Sequence, residues 1–383
     1  MTEPQTKVAL VRCADYQRPN VDRAVGHALD LLGGIAQFVR PGANVLLKPN
    51  LLAAWPPDNA VTTHPEIVRT VARAALDAGA HVAVGDSPGI GSLPAVAKKA
   101  GIDAVVRELG LALRELDQPV GVPRPDGARF RQLRLTRAAL ECDTLINLPK
   151  VKTHQQMFLT LAVKNLFGCV VGREKVAWHM NAGRDPQLFA RVLVEVCHAL
   201  RPALSIADGV VGMEGSGPSH GTPRPFGFIA ASADPFALDA VLTALLGFRH
   251  SDLPVLGAAD DARRDGLDVG QTELARIQVL GCDIDDLRPG PVTPPVTGRL
   301  MFIPDCLARI VRRSLAVRPR IDRTRCVACG ICVDSCPAHA MKIVDHQVRI
   351  ADTACIRCFC CQELCPHGAV QASPGLLWRV LAK

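Results

Sequence analysis

Nine of the fifteen cysteines lie between Cys326 and Cys365, in two runs of the same spacing. The first run is Cys326, Cys329, Cys332 and Cys336, with Pro337 next; the second is Cys355, Cys358, Cys361 and Cys365, with Pro366 next. Three thiolates at such short intervals let one turn of chain wrap the corner of an iron–sulfur cube, and in this arrangement the fourth cysteine ligates the other cluster. The spacing therefore predicts two [4Fe–4S] clusters. One is held by Cys326, Cys329, Cys332 and Cys365, the other by Cys336, Cys355, Cys358 and Cys361. Structural zinc, with four cysteines per tetrahedral site, does not account for the doubled Cys-Pro pattern. Cys360 stands outside the pattern; it competes with Cys361 as a ligand, but the spacing favours Cys361.

A second group of reactive side chains lies upstream. Lys150, Lys152, His154, Lys164 and His179 fall within 30 residues of one another, among apolar runs. Lysines near loops and helix ends can hold a carboxylate or phosphate. A histidine can exchange protons near neutral pH. Lys48, Asn50, Asp86, Ser87 and Asn165 sit beside the ends of strand-like runs, where open α/β sheets bind ligands. We expect the segment after Asn147 to be a loop that brings Lys150, Lys152 and His154 to the same crevice as Lys48 and Asp86. Gly85–Gly89 fits the G-x-S-x-G pattern of a nucleophile elbow, but the residue after the serine is Pro88. Proline has no N–H to offer an oxyanion, so serine-hydrolase chemistry is excluded. No phosphate-binding glycine loop of nucleotide-binding type is present.

The elements that would position these groups alternate. Val8–Arg12, Asn44–Lys48, His81–Val84, Thr144–Asn147 and Ile277–Leu280 read as strands. Val21–Ile35, Thr63–Ala78, Leu93–Leu109, Leu188–Leu200 and Pro235–Leu246 read as helices. This order predicts an α/β domain over residues 1–287, a mainly parallel sheet covered by helices. Residues 288–318 follow as a linker and a basic amphipathic helix. Arg288–Gly298 holds four prolines and two glycines, and Ile303, Leu307, Ile310 and Ser314 share one face of the helical pattern from Leu300 to Val317. Residues 319–373 form the small α+β iron–sulfur domain, with a hairpin of Met341–Ile343 and Val348–Ile350, and 374–383 a tail.

Composition narrows the class. Hydrophobic residues are 48% and charged residues 21% of the 383, enough to bury a core. Aromatics are only 4%, too few for a stacking platform on single-stranded nucleic acid. The net charge is +7, and the eight arginines and two aspartates from Arg299 to Arg325 supply most of it. No reading helix or finger accompanies that segment, so no nucleic-acid partner is expected. An acidic redox protein such as a ferredoxin or flavodoxin is the expected partner, with peripheral membrane contact as another use of the basic helix. No apolar run is long enough for a transmembrane segment, and the polar start lacks a secretory signal. A cytoplasmic location is expected, which suits thiols used for metal rather than disulfides.

The segment from Pro319 to Ser373 resembles a bacterial two-cluster [4Fe–4S] ferredoxin domain. The upstream domain resembles the domain-of-unknown-function 362 family over residues 8–250. The resemblance rests on Lys48-Pro49-Asn50, Asp86-Ser87-Pro88-Gly89, the run from Pro149 to His154, and that from Lys164 to Gly168. Asp208-Gly209, Glu214-Gly215, Gly217-Pro218 and Asp234 add to it. It implies an iron–sulfur redox role and no settled reaction. A fainter likeness is to the nickel-pincer lactate racemase family. It would make Lys164 the covalent cofactor carrier, with His154 ten residues before and His179 fifteen after as metal ligand or proton carrier.

The expected function is an iron–sulfur oxidoreductase acting on a small anionic or carbonyl compound. Lys150, Lys152 and Lys164 would fix the anion, with Lys48, Asn50, Asp86, Ser87 and Asn165 around it. His154 and His179 would move protons. The rival from another class is a non-enzymatic electron carrier or maturation factor.

Overall fold

The computed structural model describes residues 6–296 and 317–373. Its centre is a ten-stranded sheet. The strands are β1 (Thr6–Arg12), β2 (Asn44–Pro49), β3 (His81–Asp86), β4 (Ala112–Glu115), β7 (Thr144–Leu148), β8 (Lys150–His154), β9 (Phe158–Thr160), β10 (Leu204–Glu214), β11 (Thr222–Ser232) and β12 (Ile277–Gly281). A separate hairpin pairs β5 (Pro119–Val122) with β6 (Leu133–Thr136). The main order is β12-β1-β11-β10-β7-β2-β3-β4, with β8 on β10 and β9 on β8. β4, β3, β2, β7 and β10 run parallel. β11 is antiparallel to both β10 and β1. The fold is thus α/β with a mainly parallel sheet, as the alternating pattern predicts.

Alternation along the strands splits the core in two. In β1, Val8 and Leu10 join one apolar cluster while Ala9 and Val11 join the other. α1 (Arg18–Leu31), α2 (Pro65–Asp77), α3 (Leu93–Lys99) and α4 (Ile102–Glu108) cover one face. α8 (Pro186–Leu200), α9 (Pro235–Leu245) and α10 (Pro254–Arg264) lie on the other. The same alternation decides the site. Lys48 and Asn147 are register partners on β2 and β7. They follow Leu46 and Leu145 on the α8–α9 face, so both aim at the short helix α6 (Ala162–Asn165).

Several boundaries differ from the sequence reading. The first helix ends at Leu31, and a separate helical turn follows at Ile35–Gln37. Leu93–Leu109 is two helices, because Gly101 takes φ +75° at the break, where a glycine costs least. The segment after Asn147 is not a loop. Lys150–His154 is strand β8, bonded to β10 and β9. Asp208 lies inside the eleven-residue β10, just before a register shift at Gly209.

The Pro/Gly stretch read as a linker lies along the end of the β10–β11 hairpin. The Arg224 guanidinium bonds the Pro289 and Pro291 carbonyls. Thr293 N–H reaches Glu214 Oε2 at 3.0 Å, and Thr293 O accepts from Gly215 N at 2.9 Å. The basic amphipathic helix lies, apart from Val317, outside the described residues. The iron–sulfur domain has two small sheets, Arg318–Ile321 with Val370–Ser373 and Met341–Val344 with Gln347–Ile350.

Candidate functional site

The cysteine runs fold into two rings. One small cavity is lined by Cys326, Cys329, Cys332 and Cys365, the other by Cys336, Cys355, Cys358 and Cys361. Each ring takes three thiols from one run and the fourth from the other. The backbone repeats as the sequence does. Ala328 and Arg357, each just before the second cysteine of its run, have φ +53° and +59°, and Gly330 and Phe359, each just after it, have +85° and +60°. Left-handed turns of this kind cost non-glycine residues about 1–3 kcal/mol. Their recurrence at both sites marks loops forced tightly around something. Ala340 N–H and Ala369 N–H point at the sulfurs of Cys336 and Cys365, 3.3 Å away in each case. Hydrogen bonds to sulfur are one means of tuning a cluster. Among the described residues no three His, Cys, Asp or Glu side chains converge on a single metal ion. Rings open around a cavity instead fit a cube that takes one thiolate per corner.

A cavity of about 410 Å³ lies between the α/β domain and the iron–sulfur domain. Its floor is a buried polar layer at the strand ends. Lys48 Nζ lies 2.8 Å from Asp86 Oδ1 and 2.8 Å from its neighbour's carbonyl, Pro49 O. Asp86 also accepts from Leu51 N and Ser87 N, at 2.7 and 2.8 Å. Asn165 ties the layer together: its Nδ2 donates to Asn147 Oδ1, and its Oδ1 accepts from Asn50 Nδ2, both at 2.8 Å. Lys152 Nζ donates to Asn50 Oδ1 at 3.0 Å and to Val61 O at 2.6 Å. Burial holds the Lys152 ammonium well below the usual lysine range, and neighbouring lysines add to the effect.

Lys164, on α6, stands over this floor. Its helix is anchored by Asp239, fully buried on α9, which accepts from Ala162 N at 2.7 Å and Val163 N at 3.2 Å. Burial pushes the Asp239 carboxyl up to about 8, against the pull of those two N–H groups. Burial pulls Lys164 down, and Glu363 partly offsets this. On the far side of the cavity α7 (Arg173–Ala182) contributes Lys175 and His179. Lys175 Nζ donates to Ser87 O, and burial lowers it to about 8. His179 stacks on Phe189 with centroids 4.4 Å apart, and burial lowers it to about 4. It is a neutral imidazole at pH 7.

The iron–sulfur domain closes the cavity. Ser335, Pro337, Cys360, Glu363 and Leu364 form its wall. Gly89 packs so closely here that an added Cβ would stand 3.0 Å from Leu364 Cδ2. The Arg184 guanidinium holds the same domain by its backbone, 2.8 Å from Cys355 O. Glu363 is the chemical joint. Its Oε1 lies 2.7 Å from His154 Nε2. Burial would raise this carboxyl, but His154 and Lys164 outweigh it and hold it at about 2.

His154 itself is behind the wall rather than on the cavity surface. Its Nδ1 accepts from Gln156 N and Met157 N, at 3.0 and 3.1 Å, so the ring proton sits on Nε2. That proton faces Glu363 at short range but off the line of a good hydrogen bond. Burial, with Lys164 nearby, lowers His154 to about 4, so it stays neutral.

Lys150 goes elsewhere. Its Nζ lies 2.9 Å from Asp208 Oδ2 and 2.7 Å from Tyr16 Oη, in a closed network beside the stacked His64 ring. The structure thus brings Lys48, Asn50, Asp86, Ser87, Lys152, Lys164, Asn165 and His179 to one cavity. It places His154 one layer back and Lys150 in a separate cluster. Sequence reasoning missed Lys175 and Glu363. Lys175 lies four residues before His179 but carries no motif. Glu363 follows Cys361 by two residues, and its partner is more than 200 residues away, so no local signal could single it out.

Comparison with known proteins follows the same division. Residues 45–244 match a domain of unknown function (DUF362), and residues 318–366 match a 4Fe-4S dicluster domain. A thylakoid-associated protein of Synechocystis sp. is 42% identical over 267 residues, 70% of this chain and 82% of that protein. Two solved structures overlap in part. The lactate racemase apoprotein from Thermoanaerobacterium thermosaccharolyticum has 15% identity and a TM-score of 0.40, over 60% of this chain and 55% of that one. A protein from Thermotoga maritima has 12% identity and a TM-score of 0.34, over 51% of each chain. The match thus spans only about half the length of either solved relative. Two cysteine rings packed against a lysine-lined cavity are therefore the setting in which a member of the DUF362 family carries an iron–sulfur cluster domain, and this chain belongs to that family.

Proposed function

We propose that the protein is an oxidoreductase that passes electrons through two [4Fe–4S] clusters to a small anionic or carbonyl compound bound in the cavity. One observation carries this reading. The cavity wall from the iron–sulfur domain is made mostly by residues beside the cysteines of the second ring, with Leu364, next to Cys365, the exception. Pro337 follows Cys336 and lines both the cavity and that ring, while Cys360 and Glu363 flank Cys361. The second cluster is then the one that faces the bound compound, and the first is the intake side. Cys329 and Val327 of the first ring are exposed, and Arg320, Arg323 and Arg325 are exposed in the segment leading into it. An acidic ferredoxin or flavodoxin would be drawn to that side.

The residues present fit the clusters: four thiols around each cavity, with left-handed turns at matching positions. A bound cluster would supply one-electron transfer. The chain's own residues bind and orient the compound. Lys164 and Lys175 offer ammonium donors, Lys152 a further one, and the Lys48–Asp86 pair fixes the floor. His179, neutral and beside the cavity, exchanges the proton that accompanies an electron. We place this work in the cytoplasm, and the thylakoid association in the name of the Synechocystis relative supports contact with a membrane surface. Among the described residues no helix is long and apolar enough to cross a membrane.

Redox titration followed by electron paramagnetic resonance tests the reading. Anaerobically reconstituted protein should hold about eight iron atoms. Lys164→Met removes a positive charge near the second ring and should lower the midpoint potential of one cluster only. The shifted signal should be the one lost in Cys358→Ser and kept in Cys329→Ser. A shift in the other cluster, or in neither, would refute the assignment. Electron transfer to a partner with no turnover of any small molecule would favour the carrier reading.

A further inference from the structure

The cavity's basic and acidic groups do not match in number. Four lysines line it, Lys48, Lys152, Lys164 and Lys175, against two carboxylates, Asp86 and Glu363. Both carboxylates are already engaged, Asp86 with Lys48 and two backbone N–H groups, Glu363 with His154. The two nearby histidines are neutral and add no charge.

The donors are equally lopsided. Lys48 is saturated by Asp86, Pro49 O and Asn165 Oδ1. Lys152 has two acceptors for its three N–H groups, and Lys175 has one. Lys164 has no hydrogen-bond acceptor among the described residues, although it stands inside the cavity. Lys152 is buried and Lys164 and Lys175 are half-buried, and N–H donors left in the cavity without protein acceptors call for an anionic partner. Apolar side chains share the lining, Leu52, Phe167, Val176 and Leu364 among them, beside polar ones such as Asn50, Thr160 and Ser335. A volume of about 410 Å³ accommodates a ring, since an apolar cavity of ~150 Å³ already takes benzene.

We infer that the cavity is built for a dianion on a small apolar frame, with its two negative charges taken by Lys164, Lys175 and the free N–H of Lys152. This rests on the cavity assigned above and names its ligand class. Two carboxylates or one phosphate ester would both supply the charge. A cluster held by four thiolates is itself anionic and would be the competing sink for the lysines' charge. The test therefore uses full-length protein with its clusters in place.

Anaerobic calorimetric titration at pH 7.5 with benzoate, phthalate and phenyl phosphate separates the possibilities, because the three share a ring and differ in charge. At least one dianion should bind tenfold or more tightly than benzoate. The better of the two identifies the dicarboxylate or the phosphoryl form. Lys164→Met should erase the advantage over benzoate. Lys175→Met is the second variant, and circular dichroism with iron content shows whether each variant is folded and loaded. Equal binding of benzoate and the dianions, or no binding by protein with intact clusters, overturns the inference. Dianion binding that leaves both cluster potentials unchanged would uphold the ligand class while removing the redox reading of the cavity.

Discussion

His154 Nε2 and Glu363 Oε1 stand 2.7 Å apart, one on strand β8 of the α/β domain and the other two residues past a ring cysteine. The contact joins the two domains at the cavity wall, with both side chains largely out of water. With His154 neutral, removing Glu363 leaves a buried N–H facing no acceptor rather than a bare charge, which costs about 1–3 kcal/mol. Glu363→Ala should therefore lower stability by about that amount in urea unfolding. His154→Ala in the same background should cost less than it does alone, by roughly 1 kcal/mol or more. Strict additivity would show that the two residues do not interact.

Glycine 168 has no room for a side chain. A Cβ there would collide with Lys48 Nζ and Asp86 Oδ1, the fully paired ions of the cavity floor. Gly168→Ala should destabilise by roughly 2–4 kcal/mol through a displaced buried pair. Gly26, within α1, has nothing within 4 Å of its virtual Cβ. Gly26→Ala should stabilise by roughly 1 kcal/mol through helix propensity alone. Opposite signs in thermal melts of the two variants check the argument.

Asp239 anchors the helix that carries Lys164. Asp239→Ala leaves Ala162 N and Val163 N without their acceptors and should cost about 2–4 kcal/mol. Asp239→Asn keeps one carbonyl oxygen and matches the uncharged state that burial favours. Its loss should be the smaller, and its ligand affinity closer to that of the wild type. Equal losses in calorimetric melts would place the anchoring elsewhere.

Acid should unfold the protein early. Burial lowers His64, His154 and His179 to about 4, whereas unfolded histidine titrates near 6.5. Between those values the unfolded chain binds the extra protons, so these groups' stability is present above pH 6.5 and is lost as pH falls toward 4. Asp239 acts oppositely, since its raised carboxyl keeps a proton in the folded state from about pH 4 to about 8. Three histidines against one aspartate leave about two protons taken up on unfolding near pH 5, a slope of roughly 3 kcal/mol per pH unit. Urea midpoints at pH 6.5, 5.5 and 4.5, with visible absorbance to follow the clusters, measure it. Constant stability across that range would contradict the neutral, buried state of these rings.

The features that could be read from the residues alone are the local ones. The cysteine rings are legible because three thiols of each come from one short loop, and the spacing within a loop is the geometry. The parallel sheet is legible because periodicity reports burial on one side or two. Which charged groups meet depends on how distant segments pack. Lys150, Lys152 and His154 alternate on one face of β8, and adjacent same-face positions lie roughly 7 Å apart. That spacing is enough to give each a different neighbourhood: Asp208 and Tyr16 for the first, Asn50 and Val61 for the second, Glu363 for the third. Those neighbours arrive from β10, from the segments after β1 and β2, and from the iron–sulfur domain. The strand's pattern holds no record of them, because the range of a buried charge's interactions is set by distance in space and not by separation along the chain.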